Sequence, residues 1–339
     1  MLAAYTLLKN AQEVKEFLIK RELLSKDFLP VKEFDGIYFP LFKKAKIPGA
    51  IVKEVKFAFK PKPRKQTIVN LLKDKLTLNQ LELIPKSQEI IGDILILEIP
   101  EELNKKEKLI AEAYLKLSPQ IKTVVKKDKE HSGVYRTRKV KILAGKKKKE
   151  TIHTESGVRL RLHLEKTYFS PRLANERLRI AKLVKKDEDV LVMFSGAAPY
   201  PLVLSKNSLA GRIYGIEINP RAHEFAVDNL ELNNLKNVVL YRGNVRAVLP
   251  KIDLKFDRIA MPLPKTSEKF LDLALPKIKK GGVIHFYSFL HETQISNETK
   301  KIKQLCKKYG REVNILRKIK CGSFSPGTFR MCFDIKIKN

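Results

Sequence analysis

The feature that most constrains this chain is a regular alternation of apolar runs and helical stretches in its C-terminal half. The apolar runs are residues 189–194, 213–218, 238–241, 258–261 and 283–288, and segments with helical spacing separate them. Continuous apolar runs of this length are typical of strands that are buried on both faces of a parallel sheet. We therefore predict a doubly wound α/β domain over residues 173–339.

In such a sheet, ligands bind at the carboxyl ends of the strands, so the residues at the end of each run and just after it are candidate site residues. They are Phe194 and Gly196, Glu217 and Ile218, Asn244 and Val245, and Pro262. The small-residue turn at Gly196 lets backbone amides approach a ligand, and Glu217 can accept both hydroxyls of a ribose. Asn244 can read the edge of an adenine, while Pro262 can wall a flat base. Taken alone, a small-residue turn of this kind usually serves only packing, and an acid at such a position is usually solvated or caps a helix. The four strand-end sites together, in this order along the chain, predict an S-adenosylmethionine site.

The rest of the chain predicts two smaller domains. Residues 1–58 read as a small N-terminal domain, and the basic, proline-bearing stretch 56–65 reads as a linker or a surface track. Residues 66–172 predict an α+β middle domain. Its last part is rich in strand signals, first at residues 134–143 and then in a hairpin around the Ser156-Gly157 turn.

Charge and composition narrow the class of partner. The chain has 69 basic and 37 acidic side chains, a net charge of +32, which indicates a polyanion such as nucleic acid or an anionic membrane surface. No apolar run approaches the roughly 18 residues of a membrane span, and Glu13 and Glu16 come too early for a signal peptide. The three cysteines form no C-x-x-C pair, which argues against a cysteine-based zinc site. We expect a cytoplasmic protein with no metal and no obligate protein partner.

Several stretches resemble a known enzyme family. They are TYFSPRLANERLRI from Thr167, VLVMFSGAAPYPLVLSK, YGIEINPRAHEFAVDNLELNNL, FDRIAMPLP, SFSPGTFRMCFDI from Ser323 and, in the first domain, KRELLSKDFLPVKEFDGIYFP. These are similar to the archaeal and eukaryotic tRNA methyltransferases that modify N1 of guanosine 37, next to the anticodon. The resemblance implies a Rossmann-like class I methyltransferase domain that uses S-adenosylmethionine. It also implies that tRNA is the partner, bound at its anticodon loop, and that the N-terminal domain, residues 1–58, contacts the tRNA far from that loop.

The resemblance also implies roles for residues outside the strand ends. The family's general base matches Glu176, which would take the guanine N1 proton, and its oxyanion-stabilising arginine matches Arg136. The other implied contacts are Tyr168, Phe169 and Arg172 with the substrate base and Arg177 with the cofactor. Plainer roles stay open, because a Glu-Arg dipeptide is usually a surface ion pair and two aromatic residues fit a core.

Four positions differ from the family's commonest pattern. Val192 replaces an acid, Ala198 a glycine, Asn244 an aspartate and Pro262 an asparagine. If the backbone at Ala198 has a positive φ, alanine there costs about 1 kcal/mol. Pro262 cannot hydrogen-bond the guanine edge and presents a flat apolar wall. A branch of the family methylates C7 of the tricyclic base 4-demethylwyosine, which lacks those edge donors, so Pro262 favours membership of this bifunctional branch.

Two other functions stay open. A wyosine-pathway relative transfers an aminocarboxypropyl group from the same cofactor and releases methylthioadenosine. The replacements at Val192 and Ala198 are also compatible with a methyltransferase fold that only binds RNA. The presence of Glu176, Arg136 and Glu217 favours an active enzyme.

Overall fold

The computed structural model describes residues 1–62, 66–85, 87–128 and 133–339, so residues 63–65 of the stretch read as a linker lie outside it. The chain separates into two compact units, residues 1–67 and residues 68–339. The finer division into three domains, at residues 58 and 172, stays a prediction. Within the described residues, no helix has both the length and the apolarity that a bilayer crossing needs.

The first unit is a four-stranded antiparallel sheet with one helix. Its elements are β1 (Leu2–Leu7), α1 (Ala11–Lys20), β2 (Val31–Glu33), β3 (Gly36–Pro40) and β4 (Ile51–Glu54), and the strand order is β2-β3-β1-β4. Val14 and Leu18, one turn apart on α1, pack against Ala4 and Phe39 of the sheet. This small core holds the unit together.

The second unit begins with a small α+β layer. Its elements are α2 (Ile68–Leu72), α3 (Leu78–Glu82), β5 (Glu89–Ile91), β6 (Ile94–Leu97), α4 (Glu107–Leu117), β7 (Thr123–Lys127) and β8 (Val140–Gly145), with strand order β5-β6-β7-β8. Residues 134–139, which the sequence predicted as part of a strand, precede β8 instead, and residues 133–136 form a turn. The turn begins at Gly133 and includes Arg136, both with positive φ, a conformation that a strand does not accommodate.

The predicted hairpin is confirmed. It consists of β9 (Glu150–Glu155) and β10 (Val158–His163), joined by Ser156 and Gly157, which both have positive φ as a two-residue hairpin turn requires. Along β10, Val158, Leu160 and Leu162 are buried while the arginines between them are exposed. The hairpin therefore presents one apolar face to the core.

The predicted doubly wound α/β fold is also confirmed. Its elements are α5 (Ala174–Leu183), β11 (Asp189–Met193), α6 (Pro199–Asn207), β12 (Arg212–Glu217), α7 (Pro220–Leu232), β13 (Val238–Arg242), α8 (Val245–Val248), β14 (Phe256–Met261), α9 (Leu271–Lys277), β15 (Ile278–His291), α10 (Ile295–Lys308), β16 (Val313–Ser325) and β17 (Thr328–Ile337). The sheet order is β13-β12-β11-β14-β15-β17-β16; β11 to β15 run parallel, and β17 is antiparallel to both of its neighbours. Residues 190–193 of β11 are wholly buried, as expected of a strand covered on both faces.

Candidate active site

A cavity of about 250 Å³ lies at the carboxyl ends of the parallel strands. All of the residues that the sequence placed directly after strands line it, namely Phe194, Gly196, Glu217, Ile218, Asn244, Val245 and Pro262. These residues come from four separate loops. The cavity brings them together because the ends of neighbouring parallel strands meet at one edge of the sheet.

The turn after β11 has an unusual backbone. Phe194, Gly196 and Ala198 all have φ near +60°, and Ala198 is the N-cap of α6 in the left-handed conformation. The condition stated for the glycine-to-alanine replacement is therefore met, and the strain amounts to about 1 kcal/mol. The turn directs the N–H of Gly196 at Glu217, whose Oε2 accepts it at 2.7 Å.

Glu217 is a buried carboxylate held by the backbone. Its second oxygen accepts the N–H of Asn219 at 2.7 Å, and Asn219 in turn caps α7, where Pro220 is the first residue. Burial raises the pKa of Glu217 above its ordinary value, while the backbone N–H groups oppose the shift. A carboxylate has about four lone-pair sites, more than these backbone donors occupy, so Glu217 can still accept a hydroxyl group.

Asn244 begins α8 and has a second role that the sequence did not indicate. Its side-chain oxygen accepts the N–H of Arg246 at 2.9 Å and so caps the helix. The capped helix start places Val245, which is buried, in the cavity wall. Phe194, which also lines the cavity, packs edge-to-face on Phe270 with ring centres 4.8 Å apart.

The substrate residues implied by the resemblance divide into two groups. Arg136, Tyr168 and Phe169 line the cavity, and the Arg136 guanidinium carbon lies 5.0 Å from the centre of the Tyr168 ring. Burial lowers the pKa of Arg136, Tyr168 opposes this effect and the guanidinium of Arg330 adds to it. Arg172 is exposed and is absent from the described residues that line the cavity. Phe169 fits both roles that the sequence left open, a core residue and a substrate contact, because it belongs to the core and also lines the cavity.

Arg177 lines the cavity and is almost wholly buried, with 1% exposure. It donates to both oxygens of Glu155 on β9, at 2.5 and 2.6 Å, and its guanidinium carbon lies 5.0 Å from the Phe169 ring centre. The ion pair between Arg177 and Glu155 is therefore buried and does not lie on the surface. Glu155, which neutralises it, carried no signal in the sequence.

Glu176 does not belong to the cavity lining as far as the described residues show, although it is buried at 4% exposure. Arg179 donates to both of its oxygens, at 2.7 and 2.8 Å, and the hydroxyl of Tyr287 donates to Oε1 at 2.6 Å. The hydroxyl of Tyr200 donates to that of Tyr287 at 3.1 Å, and Tyr200 lines the cavity. Two phenols therefore connect the cavity wall to the Glu176 carboxylate.

The ionic contacts continue beyond Arg179. Arg179 donates to Asp334 at 2.8 and 3.1 Å. On the other side of Asp334, its carboxylate lies 2.6 Å from His285 Nδ1. His285 Nε2 lies 2.8 Å from Arg258, which forms an ion pair with Glu188. Because an arginine cannot accept, His285 carries its proton on Nδ1. Burial opposes ionisation of Asp334, but hydrogen bonds from His285 and Arg179 hold its pKa well below the usual range.

His285, Cys332 and Asp334 also place potential metal-ligating atoms within 4.8 Å of one another. Arg179 and Arg258 already donate to Asp334 and His285, and a metal ion would have to displace these two cations. The geometry fits an ionic network better than a metal site.

With β17 inserted antiparallel between β15 and β16, and with its ligand cavity at the strand ends, the fold is that of a class I methyltransferase. Residues 151–316 match the model of the TRM5/TYW2 methyltransferase domain, and residues 68–148 match that of the TYW2 N-terminal domain. The tRNA (guanine(37)-N(1))-methyltransferase Trm5b of Pyrococcus abyssi is 38% identical over 255 residues, 75% of this chain and 76% of the relative. The chain belongs to the TRM5/TYW2 methyltransferase family.

Two solved structures of relatives match the full length of this chain, and a third matches three quarters of it. The crystal structure of P. abyssi Trm5b has a TM-score of 0.77 at 33% identity, and the complex of aTrm5 with tRNALeu has 0.70 at 30%; both cover 100% of each chain. Methanocaldococcus jannaschii TYW2 in complex with AdoMet has 0.58 at 26% and covers 75% of this chain and 100% of that one.

Relatives with different activities have similar identity to this chain. The Nanoarchaeum equitans tRNA (guanine(37)-N(1))/4-demethylwyosine(37)-methyltransferase Taw22 is 32% identical, over 64% of this chain and 88% of the relative. The Pyrococcus horikoshii tRNA(Phe) (4-demethylwyosine(37)-C(7)) aminocarboxypropyltransferase is 30% identical, over 81% of this chain and 97% of the relative. Identity alone does not separate these activities.

Proposed function

We propose that this protein is an S-adenosylmethionine-dependent tRNA methyltransferase that acts on N1 of guanosine 37 and on C7 of 4-demethylwyosine. The observation that carries the proposal is a single cavity that Glu217, Arg136 and Tyr168 all line. Glu217 can bind a ribose, while Arg136 and Tyr168 can bind a flat base on which negative charge develops. We place the reaction in the cytoplasm, with tRNA as substrate and no protein partner required.

The residues present fit S-adenosylmethionine, since the buried Glu217 keeps lone pairs for a ribose and the adjoining wall of Ile218 and Pro262 is apolar. Asn244 and Val245 would hold the adenine end, while Phe194, Gly196 and Arg177 would hold the remainder. S-adenosylmethionine supplies an electrophilic methyl group. The protein's own task is to orient the base, stabilise its developing charge and remove its proton.

Arg136 and Tyr168 serve the first two of these tasks in our proposal. Tyr168 can stack an everted base, Phe169 lines the same cavity, and the exposed Arg172 is accessible to the RNA strand. The guanidinium of Arg136 beside that ring can meet the charge that forms on the guanine O6 as N1 loses its proton.

Glu176 serves the third task, and it needs the two tyrosines to do so. The proton from N1 passes to the Tyr200 oxygen, the Tyr200 proton passes to Tyr287, and the Tyr287 proton passes to the Glu176 carboxylate. The hydrogen bonds from Tyr200 to Tyr287 and from Tyr287 to Glu176 already run in this direction. Burial raises the pKa of both phenols, so each stays protonated and transfers its own proton only as it receives another.

Mass-spectrometric nucleoside analysis tests the activity. We expect purified protein and S-adenosylmethionine to form 1-methylguanosine in tRNA with an unmodified guanosine 37, and a C7-methylated product in tRNA carrying 4-demethylwyosine. Pro262 in the cavity wall supports the second reaction, because the proline side chain forms no hydrogen bond with the base edge and the tricyclic base lacks the edge donors of guanine. Methylation of guanosine alone would contradict the bifunctional assignment.

The aminocarboxypropyl reaction is the second candidate, supported by the P. horikoshii relative, whose name gives that transfer. The small-molecule product decides between the two: methylthioadenosine indicates aminocarboxypropyl transfer, and S-adenosylhomocysteine indicates methyl transfer. A protein that binds tRNA but not S-adenosylmethionine would instead be an RNA-binding scaffold.

Replacing Glu217 with glutamine should weaken S-adenosylmethionine binding about 10- to 150-fold. The charged acceptor for the ribose becomes a neutral one, and a hydrogen bond to a charged group contributes roughly 1.5–3 kcal/mol. Isothermal titration calorimetry measures the change, and Glu224→Gln on the exposed face of α7 is the control. Equal affinities of wild type and Glu217→Gln would contradict the ribose assignment.

A further inference from the structure

The SFSPGTF segment forms a rigid tip where β16 turns into β17. Phe289 of β15 lies directly opposite Arg330 of β17, and Gly322 of β16 lies opposite Arg330 on its other side. Gly327 in the turn has φ of +69°, and a Cβ there would lie 2.6 Å from the ring of His291. The positive φ favours glycine there, and the Glu292 N–H joins the tip to the end of β15 by donating to the Gly327 carbonyl at 3.1 Å.

The tip carries an exposed aromatic pair. The rings of Phe289 and Phe324 have centres 4.2 Å apart and planes tilted by 34°, and Phe324 is 56% exposed. An exposed phenylalanine on a fixed hairpin gains nothing from the protein's own core. It presents a flat apolar surface to whatever lies beside it.

Arg330 lies next to this pair and has an unused donor. Its guanidinium carbon is 5.2 Å from the Phe289 ring centre, and Nη2 donates to the Tyr168 hydroxyl at 3.0 Å. Its Nε is buried and has no hydrogen-bond acceptor, and no carboxylate forms an ion pair with Arg330 among the residues that the structure describes. Buried donors are nearly always satisfied, so an acceptor from outside the chain is expected here.

Tyr168 connects the tip to the cavity. It lines the cavity and contacts both Arg330 and Arg136. A ligand at the tip would therefore adjoin the base in the cavity, and it would need an anionic group for Arg330 and a flat ring for Phe324. In a single RNA strand, the nucleotide next to the everted one supplies a phosphate and a base at this spacing.

We propose that Arg330, Phe289 and Phe324 form a subsite for the nucleotide that adjoins the target nucleotide, with Arg330 on its phosphate and the phenylalanine pair on its base. This subsite rests on the proposed function, which places the target base in the cavity. It selects an open strand rather than a duplex, because a stacked and paired base cannot lie on the phenylalanine pair.

Fluorescence of 2-aminopurine tests the stacking. The probe replaces either nucleotide flanking position 37 in a full-length tRNA, and the full chain is added with S-adenosylhomocysteine. We expect quenching at one of the two positions, and loss of most of that quenching in Phe324→Ala. Tyr309→Ala, which removes another exposed aromatic residue of the same unit, should quench as wild type does.

Arg330→Ala tests the phosphate contact. We expect KM for tRNA to rise about tenfold and the slope of log affinity against log salt to fall by about one, with S-adenosylmethionine affinity unchanged. Arg330→Lys should restore the salt slope.

The two readouts separate the subsite from the proposed function. Quenching that Phe324→Ala abolishes, without methyl transfer, would support the subsite and overturn the proposed function. Methyl transfer with quenching and KM unchanged in both variants would overturn the subsite alone. Binding of a protein ligand at the tip, with tRNA binding unaffected by either variant, would overturn it as well.

Discussion

Glu176→Gln should slow methyl transfer by about 100- to 10,000-fold, the range over which a positioned general base acts. Glutamine has nearly the same shape and can still accept the Tyr287 hydrogen bond and one bond from Arg179, but it cannot take up a proton. Single-turnover rates with saturating tRNA and S-adenosylmethionine measure the effect. Calorimetric affinity for S-adenosylmethionine should stay unchanged, because Glu176 does not line the cavity as the described residues define it.

The route through the two tyrosines has its own variants. Tyr287→Phe should slow the reaction nearly as much as Glu176→Gln, and the double variant should be no slower than either one, because all act on one proton path. Tyr214→Phe is the matched control, since this buried tyrosine of β12 packs edge-to-face on Phe256 away from the path. Full activity of Tyr287→Phe beside a slow Glu176→Gln would exclude the phenol route, and full activity of Glu176→Gln would remove Glu176 as the base.

Glu155→Gln should lower the free energy of unfolding by about 3–5 kcal/mol, the cost of leaving a buried charge without its partner. The guanidinium of Arg177 is almost completely enclosed between the hairpin, the Phe169 ring and the Tyr200 ring. Glutamine can satisfy part of its hydrogen bonding but none of its charge. Urea unfolding, followed by circular dichroism, measures the difference.

The control for this variant is an ion pair of the same type on the surface. Glu224→Gln removes the partner of Arg221, where both side chains are more than half exposed, and should change stability by less than about 1 kcal/mol. Equal losses in Glu155→Gln and Glu224→Gln would show that water reaches Arg177, and the stabilising role of Glu155 would then be wrong.

The sequence was most informative where function depends on position along a strand. Phe194, Glu217, Asn244 and Pro262 each lie at the end of an apolar run or within three residues of it, and the structure places all four in one cavity. Because parallel strands joined by right-handed crossovers align their carboxyl ends, locating each strand end was enough to collect the site. The same reasoning gave the hairpin, whose turn residues and alternation are local signals.

The turn before β8 shows where local signals fail. Val134, Tyr135 and Thr137 are residue types that favour strands, yet the chain enters β8 only at Val140, after a turn in which Arg136 has a positive φ. That turn places the Arg136 side chain in the cavity wall, beside Tyr168. Tertiary packing outweighed a propensity that is weak in any case for six residues.

By itself, the sequence determined the α/β fold, the strand ends and the residues after them, because hydrophobic periodicity and turn chemistry act over a few neighbouring residues. Only the tertiary structure decided the surroundings of Glu176, whose partner Tyr287 lies 111 residues away along the chain, and whose neighbour Arg179 bonds Asp334 155 residues away. The pairing of β15 with β17 aligns Tyr287 with Cys332 and His285 with Asp334 on the face that α5 covers. Such partners follow from strand register, which is fixed by the packing of the whole domain and by nothing in the neighbouring sequence.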